Sequence, residues 1–303
     1  MTTKQTIGFI GVGNMGRPMA THLVKQGHDV IIHDVSAEAR RAMVQAGARA
    51  ALSAREVGDA AEVVFTSLPS PAIYSEVMLG ADGVRSGKAT RIAIDLSTVG
   101  PRSARTVSMA LRERGIVLID APVSGGPAGA QAAKLTVMAS GPADAIEAVR
   151  AHLEVFGKVF VVGPEAGQAQ LLKLLNNMLS STALAITAEA YVAGMKGGLD
   201  PKVMLEVINV SSGRNSASMD KFPRHVLTRS FDFGFPIASA CKDIGLAVEE
   251  CEALGVPVWV GSQARQLWNF AKKQGGGADD MTAIVKWLET WSGVNPDSVP
   301  PAG

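Results

Sequence analysis

The residue types in this sequence that could support chemistry are concentrated in two glycine-rich segments and around one lysine. The run Gly11–Gly16 (GVGNMG) follows a strand-like stretch and opens a helix-like one. In such a turn the first glycine permits a tight bend, the second lets a diphosphate approach the backbone, and the third allows close packing of helix on strand. The diphosphate rests at the helix N-terminus, where unpaired N–H groups and the helix dipole favour an anion. The predicted dinucleotide site therefore contains Gly11, Val12, Gly13, Asn14, Met15 and Gly16.

The choice of dinucleotide depends on Asp34, which ends the second strand-like stretch. A carboxylate about 20 residues after the glycine run can accept a hydrogen bond from a ribose 2′-OH and would repel a 2′-phosphate, so we expect NAD rather than NADP. Asp34 could instead be a turn residue or a helix cap, although Ser36 could fill the capping role. Arg40 and Arg41, in the next helix, keep NADP as the less favoured alternative.

Further cofactor contacts are expected where later strands end, because ligands of open α/β sheets bind outside the carboxyl ends of the strands. Leu68 and Pro69 follow the third strand-like stretch, and Ser97 and Thr98 follow the fourth. Ordinary turn chemistry would suit Pro69 and Ser97 equally well. Leu68, Pro69 and Thr98 are the candidates.

A second glycine-rich segment and a helical pair are candidates for the reaction itself. In Asp120–Pro127 (DAPVSGGP), the glycines after Ser124 expose backbone N–H groups that could hold a carboxylate, and Ser124 adds a hydroxyl; a simple turn is the alternative. Lys173 and Asn177 lie four residues apart, hence on one face of a helix. By itself, a lysine at such a position is most often a solvated one.

The elements that must position these residues differ between the two halves of the chain. In the first half short apolar runs alternate with amphipathic helical patterns such as Gly16–Lys25 and Ala37–Ala46, which is typical of βαβ units. We therefore expect an α/β fold whose first domain, residues 1–164, is a doubly wound Rossmann-type domain with a mainly parallel sheet. The predicted strands are Thr6–Ile10, Val30–His33, Val63–Ser67, Ile92–Leu96, Val117–Asp120, Leu135–Ala139 and Val159–Val162.

The second half, residues 165–303, is predicted to be an all-α domain. It begins with a helix of roughly 40 Å over Gly167–Met195. Gly197-Gly198 supplies a C-cap, and Asp200-Pro201 supplies the start of the next helix. The tail Asn295–Gly303, with three prolines, is expected to be loose. The further predicted helices are Pro201–Val210, Phe235–Leu254, Val258–Lys273 and Met281–Thr290.

Composition excludes several classes of function. The 303 residues are 47% hydrophobic and 19% charged, with a formal net charge of +1, which argues against nucleic acid or an anionic membrane as a partner. Two cysteines and no zinc-like spacing argue against a disulfide framework or a metal site. Without a secretory signal or an uninterrupted apolar run long enough for a bilayer, the expected location is the cytoplasm.

Assembled in order, these motifs resemble the β-hydroxyacid dehydrogenase family, which includes 3-hydroxyisobutyrate dehydrogenase and tartronate semialdehyde reductase. The resemblance covers about Lys4 to Gly293 and rests on four segments. Val12 stands where the family usually has Leu, and Ala169 where it usually has a second glycine; neither change removes a catalytic group. The four segments are Phe9–Leu23, Asp120–Gly126, Gly167–Asn177 and the pair Lys242-Asp243.

The resemblance implies a reaction and the roles of its residues. The chain would transfer a hydride between NAD and a small β-hydroxy acid, similar to 3-hydroxyisobutyrate, or its semialdehyde. Lys173 would be the general acid/base, and the helical domain would form a homodimer or homotetramer around a long helix that joins the domains. Asn177 would position Lys173 or the substrate, Ser124, Gly125 and Gly126 would hold the substrate, and Thr98 and Lys242 would contact the cofactor.

Two other functions stay open at this point. One is an NADP-dependent aldehyde, semialdehyde or imine reductase of the same superfamily, against which Asp34 and Lys173 both speak. The other is a non-catalytic nucleotide-binding protein, against which the joint presence of Ser124, Lys173 and Asn177 speaks.

The residues that select the substrate are the least predictable part of the sequence. Arg214 follows a helix and could bind a carboxylate, although a solvated loop arginine is at least as ordinary. Lys221, Arg224 and His225 are similar candidates.

Overall fold

The computed structural model describes residues 5–295; residues 1–4 and 296–303, which include most of the predicted loose tail, lie outside the described residues. The chain divides between Lys173 and Leu174 into two compact units. A single helix runs through the division, so that Lys173 ends the first unit and Leu174 begins the second.

The first unit is built on one nine-stranded sheet. All seven predicted strands are present, with bounds shifted by at most two residues. The strands are β1 (Thr6–Ile10), β2 (Asp29–His33), β3 (Arg49–Ala50), β4 (Val63–Thr66), β5 (Ile92–Asp95), β6 (Val117–Asp120), β7 (Val123–Ser124), β8 (Leu135–Ser140) and β9 (Gly157–Gly163).

The strand order is β3-β2-β1-β4-β5-β6-β8-β7, with β9 beside β8. The strands from β3 to β6 pair in parallel, whereas β8 pairs antiparallel with β6 and β7. From β1 the chain adds β2 and β3 on one side, and it then crosses to β4 on the other side of β1. This switch in strand order leaves a crevice at the carboxyl ends of β1 and β4, the position at which doubly wound sheets bind ligands. The doubly wound prediction is thus confirmed. The helices that accompany the sheet are α1 (Gly16–Lys25), α2 (Ala37–Gln45), α3 (Ala54–Ala60), α4 (Pro71–Leu79), α5 (Pro101–Arg112), α6 (Gly126–Gln131) and α7 (Ala143–Glu154).

The central strands are apolar along most of their length because helices cover both faces of the sheet. Phe9 of β1 stacks on Phe65 of β4 at 5.9 Å between ring centroids, and Phe65 meets Phe156 edge-on at 5.5 Å. All three rings are fully buried. This packing fixes the carboxyl ends of β1 and β4, from which the loops of the site emerge.

Two strands, β3 and β7, were missed from the sequence because each is only two residues long and shows no alternation. The second of them matters for the site. Val123 and Ser124 pair antiparallel with Val137 and Thr136, so Ser124 lies on a strand rather than in a free turn.

The second unit is helical, as predicted. It contains most of α8 (Gln168–Lys196), whose C-terminus is followed by Gly198 at φ +84°. Asp200 caps the next helix by accepting from the N–H groups of Lys202 and Val203. The remaining α-helices are α9 (Pro201–Asn209), α10 (Ile237–Ala253), α11 (Trp259–Lys273) and α12 (Ile284–Ser292).

One helix of this unit was not predicted. Ala217–Val226 forms a ten-residue π-helix despite the proline at position 223. The i→i+5 pattern is seen in the bond from Leu227 N–H to the Phe222 carbonyl (2.9 Å). Pro223 has no N–H for the Ser218 carbonyl five residues before it, and Nδ2 of Asn209 donates to that carbonyl instead (3.0 Å). The predicted helix Met281–Thr290 is in fact a short 3₁₀ turn, Met281–Ala283, followed by α12.

Among residues 5–295, no helix combines the length and apolar character that crossing a bilayer requires.

Candidate active site

The three glycines of the first loop have different surroundings, as their predicted roles require. A Cβ on Gly11, which has φ +86°, would lie 2.3 Å from the carbonyl oxygen of Ser67, and one on Gly16 would lie 1.9 Å from the carbonyl oxygen of Gly11. A Cβ on Gly13 would meet no atom within 4 Å. The outer glycines are therefore required by the fold, whereas Gly13 faces open space into which a diphosphate could come close to the backbone.

The N-terminus of α1 is suited to an anion. Met15, at its N-cap, makes no side-chain capping hydrogen bond, and the first turn contains no acidic residue. The first N–H groups of this ten-residue helix thus have no side-chain acceptor to neutralise them. Together with the space in front of Gly13, this arrangement fits the diphosphate of a dinucleotide.

Asp34 is held beside the glycine loop. Its Oδ2 accepts from the N–H of Val12 (2.8 Å), and its Oδ1 accepts from the N–H of Ser36 (2.8 Å). The hydroxyl of Ser36 caps α2 by accepting from the N–H of Ala39 (3.2 Å), so capping is not the role of Asp34. The Arg40 guanidinium donates to the main-chain carbonyl of Asp34. The carboxylate is thereby oriented at the end of β2 and can still accept a bond from a ribose hydroxyl.

A row of polar residues crosses the carboxyl edge of the sheet. Thr66 of β4 is in register with Asp95 of β5, Asp95 with Asp120 of β6, and Asp120 with Ser140 of β8. All four residues are fully buried. Because adjacent strands place these ends side by side, the row can organise every loop that leaves this edge.

Asp95 organises the loops after β4 and β5. Its Oδ1 accepts from the hydroxyls of Thr66 (2.8 Å) and Ser97 (2.6 Å), and the Ser97 hydroxyl accepts from the N–H of Leu68 (2.8 Å). Burial raises the pKa of Asp95 to about 6, an effect that its hydrogen bonds only partly offset. Leu68 is thus fixed, while its neighbour Pro69 is exposed.

Gln170, in the first turn of α8, holds the segment that contains Thr98. Its Oε1 accepts from the N–H groups of Val99 (3.0 Å) and Gly100 (3.1 Å), and its Nε2 donates to the carbonyl of Ser97 (2.9 Å). Gln170 is fully buried. The backbone on both sides of Thr98 is therefore tied to the helix that contains Lys173.

Asp120 caps α8 from the neighbouring strand. Its two oxygens accept from the N–H groups of Gly167 (2.9 Å) and Gln170 (3.1 Å), and the hydroxyl of Ser140 accepts from Ala169 N–H (2.9 Å). Burial raises the pKa of Asp120, and these hydrogen bonds lower it in part. Three N–H groups at the start of α8 are thus satisfied by β6 and β8, which fixes the helix start against the sheet.

Lys173 follows Gln170 by three residues, about one helical turn, and only 7% of it is exposed. Ser124, half-buried, lies in β7, four residues after β6 ends at Asp120, and Gly125 and Gly126 after it have φ values of +133° and +63°. A Cβ on Gly126 would meet nothing within 4 Å. Both candidate groups therefore depend on the carboxyl end of β6.

In the second unit, Asn177 is oriented by a buried carboxylate. Its Nδ2 donates to Oδ2 of Asp243 (2.7 Å), whose Oδ1 lies 3.1 Å from Nζ of Lys242. Asp243 is 2% exposed. The sequence motif singled out the pair Lys242-Asp243, and the structure adds that Asp243 orients Asn177.

The candidates for substrate selection differ in burial. Arg214 is exposed, and its guanidinium makes no hydrogen bond or ion pair with any residue in the described range 5–295. Lys221, by contrast, is 4% exposed. No cluster of three or more His, Cys, Asp or Glu side chains within the described residues is arranged to hold a metal ion.

Sequence reasoning missed Asp95, Gln170 and Ser140 as organisers of the site. A signal was present, since each of β4, β5, β6 and β8 ends in a polar residue, and Gln170 is a polar residue on a largely apolar helix face. Only the strand register shows that these residues form one network.

Comparisons with known proteins agree with this architecture. Residues 6–163 match the family described as the NAD binding domain of 6-phosphogluconate dehydrogenase, and residues 167–288 match the NAD-binding domain of NADP-dependent 3-hydroxyisobutyrate dehydrogenase. The chain is 38% identical to 2-(hydroxymethyl)glutarate dehydrogenase of Eubacterium barkeri, over 95% of this chain and 96% of the relative.

Two further relatives are similar over their whole length. The chain is 38% identical to NAD-dependent L-serine dehydrogenase of Pseudomonas aeruginosa, over 95% of this chain and 99% of that one. The solved structure of 3-hydroxyisobutyrate dehydrogenase of Mycobacterium tuberculosis with L-serine superposes with a TM-score of 0.86 at 32% identity, over 94% of this chain and 99% of that one.

The fold and the glycine loop define an oxidoreductase with an NAD-binding Rossmann-type domain followed by a helical domain. With these relatives, the chain belongs to the β-hydroxyacid dehydrogenase family, whose members oxidise CH–OH groups with NAD or NADP. It is accordingly an NAD(P)-dependent dehydrogenase of hydroxy acids.

Proposed function

We propose that this chain interconverts a small β-hydroxy acid, similar to 3-hydroxyisobutyrate, and its semialdehyde with NAD, and that Lys173 is the general acid/base. The observation that supports this most directly is the position of Lys173 one turn beyond Gln170. Gln170 and Asp120 tie the start of α8 to the strand ends and to the backbone around Thr98. A buried lysine fixed in this way has a defined orientation, which proton transfer requires and a solvated lysine lacks.

The cofactor, when bound, accepts a hydride from the hydroxyl-bearing carbon in oxidation and returns it in reduction. In oxidation the neutral amine of Lys173 takes the hydroxyl proton at Nζ, so the carbonyl forms as the C–H and O–H bonds break. In reduction the ammonium returns that proton to the oxygen. Lys173 therefore balances the proton in each direction, and its burial excludes water from the transfer.

The other candidate residues bind and orient. Ser124 and the N–H groups of Gly125 and Gly126 hold the carboxylate of the substrate, since positive φ values turn successive N–H groups towards one anion. Asn177, oriented by Asp243, positions the substrate or Lys173. Thr98, whose neighbours are held by Gln170, and Lys242 contact the cofactor.

We propose NAD as the preferred cofactor because of the orientation of Asp34. Each oxygen of Asp34 accepts one backbone bond and retains capacity for a ribose hydroxyl, whereas a 2′-phosphate would meet a negative charge. Arg40 points to the carbonyl of Asp34 rather than to its carboxylate. Asp34→Asn should therefore lower the ratio of kcat/KM for NAD over NADP, with Glu62→Gln, at an exposed carboxylate, as a control for general effects of charge.

The first experiment is the reduction of NAD and NADP followed at 340 nm with a panel of hydroxy acids. The panel contains 3-hydroxyisobutyrate, 3-hydroxypropionate, L-serine, glycerate, threonate, 4-hydroxybutyrate and 2-(hydroxymethyl)glutarate. Turnover of one of them with NAD would support the proposal. Turnover only of an aldehyde or imine with NADPH would favour the reductase alternative, and NAD binding without any turnover would favour a non-catalytic protein.

The role of Lys173 is tested by Lys173→Met. Loss of the acid/base should lower kcat by about 10²- to 10⁴-fold and leave the Kd for NAD, measured by fluorescence titration, unchanged. Lys196→Met, at the other end of α8, is the matched control and should retain full activity. Near-normal kcat in Lys173→Met would contradict the assignment.

The remaining expectations are a homodimer or homotetramer and a cytoplasmic location. Both rest on the family resemblance and the sequence. Sedimentation velocity of the purified chain tests the first, and cell fractionation tests the second.

A further inference from the structure

A groove between α10 and α11 lies within the second unit. Its volume is about 350 Å³, within the range of roughly 300–1,000 Å³ that is usual for small-molecule sites. The two helices that form its walls are fixed to each other, since Sγ of Cys241 donates to the carbonyl of Trp268 (3.0 Å). Among the described residues that line the groove, Lys242 alone belongs to the site proposed above. The groove is therefore a candidate for a separate binding site.

Gly245 keeps one wall of the groove open. It lies in the interior of α10, a helix of 17 residues, where glycine is the least favourable residue apart from proline. A Cβ at this position would meet no atom within 4 Å, so the packing of the described residues does not require a glycine here. A longer side chain would instead extend into the groove that Gly245 lines. A glycine that weakens its helix and leaves a cavity open indicates space that a ligand can fill.

Arg265 and Asn269 provide hydrogen-bond donors on the opposite wall. They lie four residues apart on α11, hence on one face of that helix, and both are half-buried. Within residues 5–295 neither side chain makes a hydrogen bond, and no carboxylate lies within ion-pair distance of Arg265. The guanidinium has five N–H donors in a planar fork that matches a carboxylate, and the amide of Asn269 adds two more. The pair is therefore arranged to receive an anionic acceptor.

The other charges that line the groove limit the charge of its ligand. Nζ of Lys242 lies 3.1 Å from Oδ1 of Asp243, so the positive charge of Lys242 is balanced. Glu249 lies four residues beyond Gly245 on α10 and lines the same groove, but within the described part of the chain no ion pair joins its carboxylate to Arg265. One negative group can therefore bind at Arg265, whereas Glu249 would repel a second one.

We propose that the groove between α10 and α11 binds a small aliphatic monocarboxylate. The carboxylate accepts hydrogen bonds from the guanidinium of Arg265 and from Nδ2 of Asn269. The hydrocarbon part lies over Gly245 and against Leu246, a half-buried apolar side chain of the same wall, which removes apolar surface from water. Every residue of this site is in the second unit, so the inference does not depend on the reaction proposed above.

The test compares three ligands that share one unbranched carbon chain: hexanoate, hexanamide and hexanedioate. Isothermal titration calorimetry of the full chain gives the Kd of each. The wild-type protein should bind hexanoate at least about tenfold more tightly than hexanamide, because the amide lacks the charge that Arg265 binds. Hexanedioate should bind more weakly than hexanoate, because its second carboxylate meets Glu249. Equal Kd values for hexanoate and hexanamide, tighter binding of hexanedioate, or no binding of hexanoate at millimolar concentrations would overturn the inference.

Two variants test whether hexanoate binds in the groove. Arg265→Met removes the charge and should raise the Kd for hexanoate by about tenfold or more. Lys273→Met, which removes an exposed positive charge at the end of the same helix, is the matched control and should leave that Kd unchanged. Gly245→Leu should raise the Kd by a similar factor without lowering the Tm, because its side chain fills the groove and leucine favours a helix. An unchanged Kd in both Arg265→Met and Gly245→Leu would overturn the inference.

A third variant separates the groove from the candidate substrate site, which also contains donors for a carboxylate. Ser124→Ala should leave the Kd for hexanoate unchanged, because Ser124 does not line the groove. A rise of about tenfold in Ser124→Ala would place hexanoate at the substrate site, overturning the inference while leaving the proposed function intact. If Arg265→Met does not fold, the three ligands measured with the wild-type protein and with Gly245→Leu decide the same question.

Discussion

Replacement of Gln170 by alanine is the sharpest test of how the site is held together. The side chain is fully buried and makes three hydrogen bonds of 2.9–3.1 Å, to Val99 N–H, Gly100 N–H and the Ser97 carbonyl. In Gln170→Ala, two buried N–H groups and one carbonyl lose these bonds, and Oδ2 of Asp95 loses the longer bond from Gln170 Nε2 (3.4 Å). Each such group costs about 1–3 kcal/mol, and water entering the space left behind would recover part of this. We expect the free energy of unfolding to fall by about 3–5 kcal/mol.

Gln168→Ala is the matched control for this variant. Gln168 is in the same first turn of α8, but it is exposed and accepts only from the N–H of Glu165 (2.9 Å). Its loss should cost about 0.5–1 kcal/mol. Urea denaturation followed by circular dichroism measures both variants. If the free energy of unfolding of Gln170→Ala fell within about 0.5 kcal/mol of that of Gln168→Ala, the two variants could not be distinguished. Gln170 would then not be the residue that holds the site together.

Gln170→Ala should also separate catalysis from cofactor affinity. Within the part of the chain that the structure describes, Gln170 makes no hydrogen bond to the glycine loop Gly11–Gly16, so the Kd for NAD should change little. The backbone around Thr98 and the start of the helix of Lys173 lose a common anchor, so kcat should fall by about 10²-fold, the cost associated with small displacements in an active site. A rise in Kd for NAD with unchanged kcat would mean that Gln170 serves only the cofactor loop.

Three further predictions follow from local features. Gly13→Ala should raise the Kd for NAD by at least about tenfold, measured by titration, and leave the Tm unchanged, because the new Cβ meets no protein atom and occupies the space in front of the loop. Burial lowers the pKa of both His28 and His152, whose ring centroids lie 5.1 Å apart. Below about pH 6.5 the unfolded chain therefore binds more protons than the folded one, and these two residues should lower the free energy of unfolding as the pH drops. In urea denaturation at a series of pH values, His152→Phe should make this decrease less steep. Glu289→Gln should lower the free energy of unfolding by about 1–2 kcal/mol in urea denaturation, since it removes the charge that binds Arg229 through two hydrogen bonds of 2.6 and 2.9 Å. An unchanged denaturation midpoint would mean that solvent screens this ion pair completely.

The sequence predicted most of the fold because its signals are local. Strands such as Val63–Thr66, which are buried on both faces, are visible in the sequence as runs of mainly apolar residues. The helix caps at Gly198 and Asp200 depend only on residues a few positions away. The π-helix escaped prediction because Pro223 normally interrupts a helix, and the compensating hydrogen bond from Asn209 to the Ser218 carbonyl is not visible in the sequence pattern. The short strand Val123–Ser124 escaped because its partner, β8, follows a whole helix later.

The candidate site was predictable from the sequence only where the residues of a motif lie together in one short segment. The glycine loop is such a segment, since the spacing of Gly11, Gly13 and Gly16 is complete within six residues, although the atom that a Cβ on Gly11 would meet belongs to Ser67. The organising contacts are long-range, because Asp120 and Gln170 are 50 residues apart and Val99 and Gln170 are 71 apart. No periodicity in the sequence links such pairs, and only the strand register brings them together.

The row Thr66, Asp95, Asp120 and Ser140 explains why two carboxylates are buried at an energetic cost. Burial raises the pKa of Asp95 to about 6 from 3.8, so between these two pH values the folded chain binds more protons at Asp95 than the unfolded chain does. At neutral pH the buried carboxylate therefore lowers the free energy of unfolding by about 3 kcal/mol, and this cost disappears as the pH falls. An apolar row would avoid the cost but could not accept the N–H groups at the start of α8 or the hydroxyl of Ser97. In Asp95→Asn the amide oxygen can still accept from Thr66 and Ser97, but the charge is gone and the amide NH2 replaces Oδ2, the oxygen to which Gln170 Nε2 donates (3.4 Å). We therefore expect that variant to lose the stabilisation that protonation of Asp95 gives the wild type between about pH 6 and 4, and to lose some kcat, because two NH2 groups then face each other where Gln170 meets Asp95.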